Sequence, residues 1–103
     1  MKTTRLNKRV LCQDGFGMSV QANEAAYCSP REWRGPYKQV EVGFPNQIEE
    51  LLMPYCEDES DPCGTVYSYV PVKVVTLVLA KHGGMISGEL PEGIPHLMAR
   101  HES

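Results

Sequence analysis

The sequence predicts an α+β fold, a mostly antiparallel sheet of four to five strands with two helices packed on it. Three observations point there. Apolar and polar residues alternate with period two in several short segments. Asp14-Gly15 sits between two of them as a hairpin turn. Two other stretches begin at a proline, carry apolar residues at helical spacing, and stop at Pro54 or at Gly83-Gly84.

The elements follow in order. RLNKRVLC (5–12) and FGMSVQA (16–22) are joined by QDG and read as a hairpin, with Phe16, Met18, Val20 and Ala22 on one core-facing side. YKQVEVGF (37–44) repeats the alternation through Val40, Val42 and Phe44 and is the third strand. Pro45 then suits the first turn of a helix, where its missing N–H is not needed, and NQIEELLM places Ile48, Leu51 and Leu52 on one side before Pro54. GTVYSYV (64–70) is a fourth strand, with Tyr67 and Tyr69 on one face and Val66 and Val70 on the other. PVKVVTLVLAKHGG is rich in β-branched residues, which by propensity alone favours a strand. Pro71 as a starting residue, the apolar positions 71, 75, 78, 79 and 82, and the glycine stop favour a helix over 71–82 instead. A short strand at 85–87 and an irregular tail from about residue 88 complete one domain, 1–103.

Length and composition set bounds. A single domain of this size buries roughly 60 to 70 per cent of its unfolded surface, enough for one core. With 42% apolar and 22% charged residues, the chain has the composition of an ordinary globular protein. No apolar run approaches the roughly 20 residues of a membrane span, and no apolar stretch follows the basic start, so a cytoplasmic protein is expected. The net charge is −3, unevenly divided: residues 1–38 carry seven Lys/Arg against three Asp/Glu, and residues 39–103 carry three against ten. Folding can interleave such halves, or the imbalance can mark a charged partner.

The segments GMSVQA, YCSPR, GPYKQVEVGFP, VYSYVPVKVV and KHGG resemble a family of small uncharacterised proteins of tailed-phage and prophage genomes, over most of residues 12–84. The resemblance supports the helix over 71–82. It implies a phage context and the cytoplasm of a bacterial host. Chains near this size in that context are often accessory proteins that bind and disable a host defence or regulatory complex. It supplies no binding or catalytic residue.

Two surface candidates emerge. YCSPREWRGPY (27–37) is broken into turns by Ser29-Pro30 and Gly35-Pro36, so that Arg31, Trp33, Arg34 and Tyr37 lie on a long connection. Tryptophan and arginine are enriched at binding hot spots. The alternative is that Trp33 folds inward to cap the sheet, and both readings stay open. EDESD (57–61) supplies Glu57, Asp58, Glu59 and Asp61, either as a solvated loop or as a contact for a basic groove on a partner. It lacks the ligand pattern of a calcium loop.

Cys12, Cys28, Cys56 and Cys63 are separated by 15, 27 and 6 residues, and none of these spacings matches the paired cysteines of a zinc site. Cys12 and Cys28 suit small buried side chains, and Cys56 and Cys63 flank a loop. Catalytic and phosphate-binding motifs are absent. The expectation is a non-enzymatic binding protein that occludes a host protein complex, in the manner of an anti-CRISPR, with no metal and no cofactor. The alternative is a Cys/His zinc module or a small cysteine-dependent enzyme. The acidic remainder of the chain opposes direct nucleic-acid binding. Bulk on both faces of the fourth strand suggests a homodimer.

Overall fold

A computed structural model of the chain describes residues 6–23, 26–30 and 35–100. The elements are β1 (Val10–Cys12), β2 (Gly17–Gln21), β3 (Gln39–Gly43), a single 3-10 turn (Met53–Tyr55), β4 (Val66–Pro71), α1 (Val72–Lys81) and β5 (Met85–Ser87). The strands form one antiparallel sheet in the order β4-β3-β2-β1-β5.

The hairpin expectation holds. Cys12 N–H donates to the Phe16 carbonyl and Gly15 N–H to the Cys12 carbonyl, and Gly15 takes the positive φ that such turns need. Phe16, Met18 and Val20 are fully buried in the core, together with Val40, Val42, Tyr67, Val70, Val75, Val78 and Leu79. The central strand β2 is covered on its second face too. Gln21 is buried there, its amide accepting from Asn7 N–H and donating to the Asn7 carbonyl and to Ser19 Oγ.

The strand-or-helix ambiguity resolves as helix. Val75, Val78 and Leu79 face the core, and His82 continues that side. Pro71 closes β4 and precedes the first helical residue, while Val72 N–H donates back to the Lys38 carbonyl. At the other end Gly84 N–H reaches the Leu79 carbonyl and Gly83 N–H the Ala80 carbonyl, the paired bonds of a Schellman cap, with both glycines at φ 86°.

Three local expectations are corrected. The helix expected over 45–53 does not form. Backbone bonds from Leu52 to Glu49, Met53 to Glu50, Tyr55 to Leu52 and Cys56 to Met53 all span three residues, and only one 3-10 turn results. The Glu49 side chain accepts from Leu51 N–H, a local bond that competes with helix, and is itself buried. Among the described residues one α-helix therefore packs on the sheet rather than two. Phe44 is half-exposed rather than core, because its φ of 51° turns the chain out of β3. In β4, Val40 stands opposite Val70 but Val42 opposite Tyr67, so β4 carries an extra residue. This bulge, with Tyr69 at φ 52°, breaks the alternation: Tyr67 and Val70 both enter the core and Tyr69 faces out. Tyr67 and Val70 therefore share the buried side of β4, and Tyr69 is exposed.

Beyond Gly88 the tail has no regular element yet is anchored. Leu90 and Ile94 are buried, Glu92 accepts from Tyr37 N–H, and residues 97–99 bond to Met85 along the outer edge of β5. No helix among the described residues is long and apolar enough to cross a membrane.

Candidate functional site

The edge strand β4 gathers parts of both surface candidates. Tyr69, pushed outward by the bulge, donates its N–H to the Tyr27 carbonyl, and the two rings lie 6.0 Å apart in a tilted pair. Both remain accessible, Tyr27 at 43% and Tyr69 at 39%. Tyr27 N–H in turn meets a Glu41 carboxylate oxygen at 3.4 Å. On the other side of Tyr69, Ser68 donates its hydroxyl to Glu57 Oε2 at 2.6 Å, and Glu57 N–H pairs with the Val66 carbonyl. The stretch that starts at Tyr27 and the acidic loop that starts at Glu57 thus leave from one sheet edge, with Glu41 bonded to Tyr27 and Glu57 bonded to the neighbour of Tyr69.

Within the loop, Glu57, Asp58, Glu59 and Asp61 are all exposed. Ser60 donates both its hydroxyl and its N–H to Asp58 Oδ1, which holds that carboxyl below its usual range. Asp61 N–H bonds to the Asp58 carbonyl and Gly64 N–H to the Asp61 carbonyl, so two turns fold the loop back on itself. Arg31, Trp33 and Arg34 lie outside the described residues. Tyr37, expected at the surface of that connection, is buried instead. It is 5% exposed, held where its N–H meets the Glu92 carbonyl, and its ring belongs to the core.

A second assembly was not foreseen. His82, at the end of α1, stacks on Phe16 with ring centroids 4.2 Å apart, and its two ring nitrogens each stand 2.6 Å from a carboxylate oxygen, Nδ1 from Asp14 and Nε2 from Glu49. Glu49 is 1% exposed, and its other oxygen accepts from Lys81 Nζ at 2.9 Å and from Leu51 N–H. Burial pushes the Glu49 carboxyl up, but the Leu51 N–H, Lys81 and His82 together outweigh it and hold it low. The Phe16 N–H, and after it His82, hold the Asp14 carboxyl low. A neutral imidazole has a single N–H, so only the doubly protonated ring donates to both carboxylates. The ring thereby joins three segments: the β1–β2 turn, the segment after β3 and the end of α1.

The zinc module held as the alternative finds no assembled ligand cluster among the described residues. No group of three or more His, Cys, Asp or Glu side chains is arranged to hold a metal ion there. Cys28 is buried with its thiol directed at the Asn23 and Pro30 carbonyls. Burial, aided by the Asp14 charge, pushes the Cys12 thiol up to about 11.

No family model, curated protein or solved structure matches this chain. The reading of its function therefore rests on residues. The two carboxylates of the histidine assembly lie 68 and 33 positions from it in sequence, a pairing that no motif spacing announces. Tyr69 could have been singled out only by foreseeing the bulge.

Proposed function

We propose that this chain is a small non-enzymatic binding protein that acts by covering a surface of a larger protein complex. The observation that carries this reading is the exposed Tyr27–Tyr69 pair at 6.0 Å, with Glu41 bonded to Tyr27 and Glu57 to the adjacent Ser68, at the sheet edge from which the stretch after Tyr27 and the acidic loop depart. Tyrosine provides large, amphipathic contact area with few rotatable bonds, and aromatic residues dominate binding hot spots. The flanking acid favours a basic partner surface and a salt-sensitive encounter. The partner class follows the phage resemblance: a defence or regulatory complex of a bacterial host, inhibited by occlusion. The occupied nitrogens of His82 and the buried thiols of Cys12 and Cys28 favour binding over catalysis.

Capture from bacterial lysate on immobilised protein, followed by reconstitution with the purified partner, tests the reading. Wild type should retain a defined complex that Tyr27→Ala with Tyr69→Ala loses, with association slowing as salt rises. Equal capture by wild type and the double variant would show that this edge is not the contact.

A further inference from the structure

We propose that Cys56 and Cys63 are a reversible oxidation site, a thiol pair that closes the acidic loop with a disulfide when glutathione disulfide is the oxidant. This goes beyond the binding reading and does not depend on it.

The geometry comes from Tyr67. Cys56 stands opposite Tyr67 as an antiparallel bridge, and residues so placed hold their side chains on one face with Cβ atoms about 5 Å apart. The fully buried Tyr67 ring then runs under the loop and donates its hydroxyl to the Pro62 carbonyl at 2.7 Å, one residue before Cys63. Two successive turns, Asp61 N–H to Asp58 and Gly64 N–H to Asp61, fold the intervening chain back on itself. Both thiols bear on the hydroxyl. Burial pushes its ionisation up most, and a hydrogen bond with Cys56 and the charges of Cys56 and Cys63 push it further in the same direction. The Tyr67 side chain thus runs from Cys56 beside its backbone to the residue before Cys63 at its hydroxyl.

Accessibility separates this pair from the other cysteines. Cys63 is exposed and Cys56 half-buried, whereas Cys12 and Cys28 are buried. Thiol–disulfide exchange requires access for the incoming disulfide. The Cys63 thiolate attacks one sulfur of glutathione disulfide, forming a mixed disulfide and releasing one glutathione thiolate, which takes up the Cys63 proton. The Cys56 sulfur then attacks the Cys63 sulfur, the second glutathione leaves as thiolate, and it takes up the Cys56 proton. Two thiols are oxidised by two electrons and one glutathione disulfide is reduced to two glutathiones. Glu57, Asp58, Glu59 and Asp61 end inside the closed ring.

The test is equilibration of the folded, full-length chain with mixtures of oxidised and reduced glutathione, acid quenching, intact mass and peptide mapping. Wild type should lose two hydrogens, yield a peptide linking Cys56 to Cys63, and return to the dithiol as reduced glutathione rises. Cys56→Ser should stop at a stable glutathione adduct on Cys63. Wild type that keeps the adduct as its variant does would overturn the proposal. So would a Cys63 bond between two chains, or a linkage that engages Cys12 or Cys28.

Discussion

Nε2 of His82 lies 2.6 Å from Oε1 of Glu49, a carboxylate that is almost wholly buried and thirty-three positions earlier in the chain. The contact ties the end of α1 to the segment after β3, and the second ring nitrogen ties both to the β1–β2 turn through Asp14. A polar junction of this kind sits where an apolar residue at position 82 would complete the helix face. Its partners satisfy it: among the described residues no buried side-chain nitrogen or oxygen lacks a hydrogen bond.

Removing one member should be expensive. Glu49→Ala strips a buried acceptor from His82 and leaves the Leu51 N–H without its side-chain partner. Breaking a buried pair from one side costs about 3 to 5 kcal/mol. Denaturant unfolding should show a loss of that order, and Lys81→Ala should show less, because Glu49 keeps its contacts with His82 and the Leu51 N–H when the half-exposed ammonium is removed.

Acid should reveal the same junction. The Asp14 and Glu49 carboxyls are both held low in the folded chain, while their unfolded counterparts titrate near 3.9 and 4.3, on the order of ordinary carboxyls. Depressed folded values mean that the unfolded state takes up protons first as pH falls. Their contribution is complete above about pH 5 and drains away as pH drops through the folded values. The thermal midpoint of wild type should fall as pH drops below that point, and Glu49→Gln should fall less steeply from a lower start.

Two glycines with positive φ separate strain from collision. An added Cβ at Gly15 meets nothing within 4 Å, so Gly15→Ala should cost only the left-handed backbone penalty of about 1 kcal/mol. At Gly84 the same atom would sit 2.7 Å from Ala99 N and 2.8 Å from the Met98 carbonyl carbon. Gly84→Ala should therefore cost clearly more and should detach residues 97–99 from Met85, visible as faster amide exchange at Met85 and Ala99, whose N–H groups make those bonds.

The stretch beyond Tyr27 has its own test. Arg31→Ala, Trp33→Ala and Arg34→Ala combined should abolish partner capture while moving the midpoint little, if these side chains serve recognition. An inward Trp33 gives the opposite pattern, a loss of about 3 to 5 kcal/mol on truncation. Midpoint and capture measured on the same samples distinguish the two.

The parts of this fold that its sequence determined are those governed within about four residues. Alternation placed Phe16, Met18 and Val20 inward, Asp14-Gly15 made the hairpin, and Gly83-Gly84 ended α1 against the β-propensity of five branched residues. The exposure of Glu57, Asp58, Glu59 and Asp61 was equally local, since four neighbouring carboxylates stay in water unless paired. Tertiary structure decided the rest, because competing long-range bonds were worth more than the local preference. Glu49 has the sequence setting of a helix surface, yet burial against His82 and Lys81 replaces the helix with turns. Tyr69 alternates with Tyr67 in sequence, yet fitting β4 to β3 while seating Val70 in the core inserts a bulge and turns Tyr69 out beside Tyr27. Tyr37 reads as the end of an exposed connection, yet a tail more than fifty residues later bonds its backbone through Glu92, and the residue is buried. In each case the deciding contact joins segments far apart in sequence, and short-range patterns carry no record of which distant group will arrive.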